Sequence, residues 1–189
     1  MKKLAVIFPG IGYHVDKPLL YYSRKLAGEA GFSVVGVPYR NFPKRIRGDE
    51  KKTRQAFETG LSQAEEILKD IDYFEYDEIL FISKSIGTTI AAAYAKKHGL
   101  SVRHVFYTPL VETFAFVGEE ESLNNRIIVF HGTSDPWADT GALAQECEKR
   151  QIPVHITEKG NHSLETGNVR KDLAELEKVM EHTRRFVNN

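Results

Sequence analysis

Apolar residues along this chain fall into two rhythms. Leu4 to Phe8, Phe32 to Val37, Asp77 to Ile82, Val102 to Tyr107, Arg126 to His131 and Val154 to Thr157 are short segments dense in branched and aromatic side chains. A strand with one wet face alternates apolar and polar positions, so a dense run marks a strand covered on both faces. Between these runs the apolar positions recur every three or four residues, the period of a helix face. Asp16 and Pro18 open a helix that carries Leu19, Leu20, Tyr22 and Leu26 and stops near Gly28 to Gly31. Phe57, Leu61, Ala64 and Leu68 share one face of a long second helix, and Ile90 to Ala95 is lean enough to lie close against a sheet. Gly141 to Arg150 forms a further helix, and Val169 to Val187 the last, with Leu173, Leu176, Val179, Met180 and Val187 facing inward. Strands alternating with helices imply βαβ units, hence an α/β fold with a mostly parallel sheet of about six strands and helices on both faces. No internal repeat, low-complexity tract or linker interrupts the pattern, and residues 1–189 are expected to form one domain.

Such sheets place their chemistry beyond the carboxyl ends of the strands, so the loops after strands are where reactive residues belong. The strand ending at Ile82 runs through Ser83-Lys84-Ser85-Ile86-Gly87 directly into a helix. A turn this sharp needs small residues two before and two after its apex, and Ser83 and Gly87 supply them. Ser85 stands at the apex, clear of the backbone, with a helix N-terminus aimed at whatever it attacks. Asp135 follows the fifth strand in His131-Gly132-Thr133-Ser134-Asp135, and His162 follows the sixth in Gly160-Asn161-His162. A serine hydroxyl needs a base to take its proton, and the imidazole needs a carboxylate to fix its tautomer, so Ser85, His162 and Asp135 make one candidate catalytic set. Asp139, four residues on, is the competing acid; its place before Thr140-Gly141-Ala142 suits a helix cap better.

These segments resemble the α/β-hydrolase family in its small, lidless form, close to esterases and dienelactone hydrolases. The resemblance rests on the elbow with Ser83 in place of the first glycine of G-x-S-x-G, the H-G-x-x-D segment, the G-x-H segment and the order Ser, Asp, His. It extends to Pro9-Gly10-Ile11-Gly12, with proline where the family's oxyanion loop has histidine. That likeness implies an oxyanion hole formed by the backbone N–H groups of Ile11 and Ile86. It also implies a serine hydrolase cleaving a small ester or thioester through an acyl-enzyme, with no cofactor and no metal. A peptidase or amidase of the same fold, and an inactive binding protein on it, are the alternatives. The family's lid segment corresponds here only to Thr108 to Asn125, which predicts an open, shallow pocket. Tyr13, Tyr107, Phe114, Phe116 and Trp137, with Leu110, come from loops at that end and are candidates to line it.

Composition narrows the partners. Lys and Arg equal Asp and Glu at 26 each, so no overall field favours nucleic acid or an anionic membrane. Cys147 is the single cysteine, which excludes an intramolecular disulfide, and the apolar run before Pro9 is too short for a signal peptide; a cytoplasmic setting is expected. His131 reads as a structural residue of its turn, and His14, His98, His104, His155 and His182 lack metal-ligand spacing. Gly10-x-Gly12 lacks the third glycine of a dinucleotide fingerprint, Val15 standing there, and no acid ends the second strand. The basic run from Lys44 through Arg54 reads as a solvated helix start, or as a border of the site that favours anionic substrates. Glu119-Glu120-Glu121 reads as an exposed loop.

Overall fold

The six expected strands all form, and each pairs in parallel with its neighbours. They are β1 (Lys3–Phe8), β2 (Phe32–Gly36), β3 (Glu78–Lys84), β4 (Arg103–Tyr107), β5 (Ile127–Gly132) and β6 (Val154–Thr157), in the spatial order β2-β1-β3-β4-β5-β6. The helices are α1 (Pro18–Glu29), α2 (Glu50–Leu68), α3 (Ile86–Lys97), α4 (Thr140–Lys149) and α5 (Val169–Asn188). This computed structural model describes residues 1–118 and 123–189, so the acidic run at 119–121 lies outside the described residues. No described helix is long and apolar enough to cross a membrane.

The pleat sorts the strand residues onto two faces. Leu4, Val6 and Phe8 of β1 and Phe81 of β3 pack with α2 and α3, whereas Ala5, Ile7, Leu80 and Ile82 pack with α1 and α5. On the α3 side toward β5, Phe106 and Val129 pack against Leu143 and Cys147 of α4. Ile86 to Ala95 of α3 are all buried, because α2 covers the helix on its outer side. Its alanines allow close approach but bury little area each. Ile90 and Tyr94 therefore supply most of its anchoring, at about 1.5–3 kcal/mol for each large side chain removed from water.

One expectation changes. Leu173 is 62% exposed, since the inward stripe of α5 runs through Val179, Thr183, Phe186 and Val187 and meets the core only after that residue. The segment after β4 is not featureless: Val111–Ala115 is a 3₁₀ turn packed on α3, and a second such turn, Tyr73–Glu75, precedes β3.

Candidate active site

Ser85 is the single residue between β3 and α3, and it holds φ 56° and ψ −131°. An L-residue pays about 1–3 kcal/mol for such a conformation, so its surroundings must enforce it. The Ser85 N–H donates to the Tyr107 carbonyl of β4 at 3.0 Å, and the Ser85 carbonyl accepts from the Thr88 N–H and hydroxyl at 2.9 and 2.6 Å. The Thr88 and Thr89 hydroxyls both meet that of Thr113, at 2.8 and 2.9 Å, which ties the 3₁₀ turn to the same corner. Gly87 is required by contact rather than by dihedral angle: a Cβ there would fall on the carbonyl oxygens of Phe8 and Pro9. The end of β1 and the loop carrying Ile11 are thereby pressed against the serine.

The structure brings the other two predicted side chains to this serine. His162 Nε2 lies 2.7 Å from Ser85 Oγ, and His162 Nδ1 lies 2.8 Å from Asp135 Oδ2 and 2.9 Å from Oδ1. An ionised carboxylate only accepts, so Nδ1 carries the proton and Nε2 is the acceptor facing the hydroxyl. Asp135 also accepts from the Trp137 N–H at 2.9 Å. Burial works to raise the Asp135 carboxyl, but the hydrogen bond and charge of His162 outweigh it and hold the group ionised. Burial also lowers the His162 pKa, against the pull of Asp135, and the nearby Lys84 ammonium lowers it further; the imidazole is neutral at pH 7. The two loops meet at Gly132, where a Cβ would strike the carbonyls of Gly160 and Asn161. Asp139 takes the other role, capping α4 through the Ala142 N–H at 2.8 Å. His131 is fully buried and bonds Thr140 Oγ1 at 3.0 Å, a structural residue of the turn.

Sequence reasoning missed Lys84. Its side chain is wholly buried beneath the elbow, with Nζ donating to Thr108 Oγ1 at 2.6 Å and to the His162 carbonyl at 2.5 Å, and lying over the Tyr13 ring. Thr108 Oγ1 also donates to the His162 carbonyl at 3.1 Å, so two groups grip the backbone of the histidine. Burial pushes the Lys84 pKa down to about 7, with Asp135 and Glu165 opposing. The one available signal was position: a lysine between an apolar strand and a small-residue turn has no route to water.

The cleft at Ser85 and His162 has a volume of about 410 Å³ and is walled by Ile11, Ile86, Leu110 and Trp137 together with the segment Lys44–Arg47. Trp137 lies 5.7 Å from the His162 ring, centre to centre. Ile86 is the first residue of α3, so its N–H has no intrahelical acceptor. Phe116 stacks on Phe57 and lines an adjoining pocket of about 480 Å³ that shares Thr53, Ile86 and Leu110 with the cleft. Three expected lining residues lie elsewhere. Tyr107 points into the opposite face, bonding Ser23 and Thr183 at 2.7 and 2.6 Å, because alternate residues of β4 face opposite ways. Phe114 is buried against α4, its ring under the Arg150 guanidinium. Tyr13 turns inward, its hydroxyl accepting from the Leu19 N–H at 3.2 Å. Nor is the basic segment Lys44–Arg47 a helix start, since α2 begins only at Glu50.

Solved structures repeat this arrangement of strands and helices. Est1E from Butyrivibrio proteoclasticus, solved with ferulic acid bound, is similar at 12% identity and TM-score 0.66, over 97% of this chain and 87% of that one. A serine hydrolase without a lid from Xanthomonas campestris matches at 13% and 0.61, over 97% and 81%. An α/β serine hydrolase homologue from Coxiella burnetii matches at 17% and 0.58, over 97% and 84%. No curated protein matches the sequence. The model of the alpha/beta hydrolase domain, however, matches residues 2–188, and the chain with its strained Ser85 at the end of β3 belongs to that family.

Proposed function

We propose that this protein is a serine hydrolase that cleaves a small ester or thioester through an acyl-enzyme. The observation that carries the reading is the unbroken line of hydrogen bonds from Ser85 Oγ through His162 to Asp135, starting at a strained elbow. Ser85 Oγ attacks the carbonyl carbon as His162 Nε2 takes its proton, and Asp135 holds the imidazole in the tautomer that leaves Nε2 free and stabilises the cation that forms. The N–H groups of Ile11 and Ile86, the latter at the positive end of α3, receive the oxyanion of the tetrahedral intermediate. His162 then protonates the leaving alcohol or thiol, and water, activated by the same imidazole, releases the acid. A cytoplasmic setting belongs to the same reading.

The test is turnover of 4-nitrophenyl acetate. Ser85→Ala removes one oxygen, so the fold is retained while kcat falls by roughly 10⁴ to 10⁶. A folded variant with near-wild-type kcat would move the nucleophile elsewhere.

A further inference from the structure

We infer that the substrate carries an anionic group, which Lys44, Arg45 and Arg47 hold at the mouth of the cleft beside Ser85. This rests on the hydrolase reading above and narrows it to a class of ester. Lys44, Arg45 and Arg47 line the same cleft as Ser85 and His162, and no Asp or Glu is part of that lining. The chain as a whole has no net charge, so the local excess of cations is not a by-product of a basic protein.

The three cations are also uncommitted. None of them forms an ion pair among the described residues. By comparison Arg54, Lys149, Lys178 and Arg184 each pair with an acid three or four residues away on the same helix. Other exposed cations, Lys17 and Lys25 among them, form no ion pair either among the described residues, so it is the place of these three in the cleft that sets them apart. The acid nearest in sequence, Asp49, is already engaged. It caps α2 by accepting from the Lys52 N–H at 3.0 Å, and it pairs with the Lys52 ammonium at 3.2 Å.

The backbone that presents them is pinned. Ile46 is buried between Arg45 and Arg47, and its carbonyl accepts from the Asp49 N–H at 3.0 Å and from the Thr53 hydroxyl at 3.3 Å. Arg45 holds φ 54°, a left-handed conformation that a non-glycine residue adopts only where its neighbours impose it. Two guanidinium groups on a fixed loop offer forked donors suited to a carboxylate or phosphate, and a cleft lined by one sign of charge concentrates such substrates.

The inference is tested with matched esters. Mono-4-nitrophenyl adipate against 4-nitrophenyl hexanoate places the charge on the acyl side. The compounds 3-acetoxybenzoate and 3-acetoxyphenyl phosphate against 3-acetoxybenzamide place it on the leaving group, and the first two separate carboxylate from phosphate. At low ionic strength an anionic ester should exceed its neutral counterpart about tenfold in kcat/KM, and the excess should shrink toward one as salt screens the exposed cations. K44Q/R45Q/R47Q should bring that ratio to about one at an unchanged melting temperature; if the triple variant does not fold, R45Q and R47Q singly should each lower it severalfold. Ratios of one or below in both series, or a preference that survives the substitutions, would overturn the inference while leaving the hydrolase reading intact. If the wild type turns over none of the five esters, the hydrolase reading falls, and the inference with it.

Discussion

At the residue scale, the behaviour of His162 depends on its burial and on the two charges that flank it. Burial disfavours the imidazolium most, the hydrogen bond and charge of Asp135 favour it, and the buried Lys84 ammonium opposes it. The base works only when neutral, so the acid limb of kcat/KM should have its midpoint below the ordinary imidazole value of about 6.5. Removing the cation in Lys84→Met should move that midpoint upward, and an unmoved or lower midpoint would show that Lys84 does not act on the base. Lys84 also links stability to pH. Its pKa is 10.5 in the unfolded chain and about 7 in the folded one, so between these values the unfolded chain binds more protons. Stability from this group therefore rises as pH increases from about 7, and a melting curve of Lys84→Met should lack that rise. The two acids of the same corner separate by readout. Asp135→Asn should lower kcat by up to roughly 10⁴ with little change in melting temperature, through the wrong imidazole tautomer. Asp139→Ala should cost about 1 kcal/mol of stability, the scale of a lost helix cap, with kcat nearly unchanged. The reverse pattern would make Asp139 the orienting acid.

At the scale of elements, the corner between β3 and α3 is held by contact with β1. Gly87→Ala would drive a methyl group into the carbonyls of Phe8 and Pro9. It should lower stability by about 1–3 kcal/mol and kcat with it, because the displaced loop carries Ile11. Gly28→Ala, with open space around an exposed position in α1, should instead stabilise by about 0.5–1 kcal/mol. Thermal melts of the pair distinguish crowding at the corner from a general effect of replacing glycine. The strands and helices themselves were legible because each covered strand leaves a dense apolar run and each helix a period of three to four. The 3₁₀ turn at Val111–Ala115 was not, since its anchor is the meeting of the Thr113, Thr88 and Thr89 hydroxyls from two elements distant in sequence. Lys84 was hidden likewise, its partners being the Thr108 hydroxyl and a main-chain carbonyl that composition does not reveal.

At the scale of the molecule, parallel pairing brings all strand carboxyl ends to one edge. Residues separated by 77 positions, Ser85 and His162, and by 27, Asp135 and His162, become hydrogen-bonded neighbours there. That gathering was legible in chain order alone, whereas the walls of the cleft were not. Tyr107 and Phe114 come from the right edge, yet the pleat and the packing of α4 turn them inward. The basic segment, by contrast, lies in the cleft because Ile46 anchors it there and α2 starts later than its charge run suggested. Labelling with a fluorophosphonate followed by peptide mass spectrometry reports whether this edge makes Ser85 a nucleophile. One adduct is expected, on Ser85, lost in Ser85→Ala and strongly slowed in His162→Ala. An adduct on another residue, or no labelling of folded wild-type protein, would contradict that role.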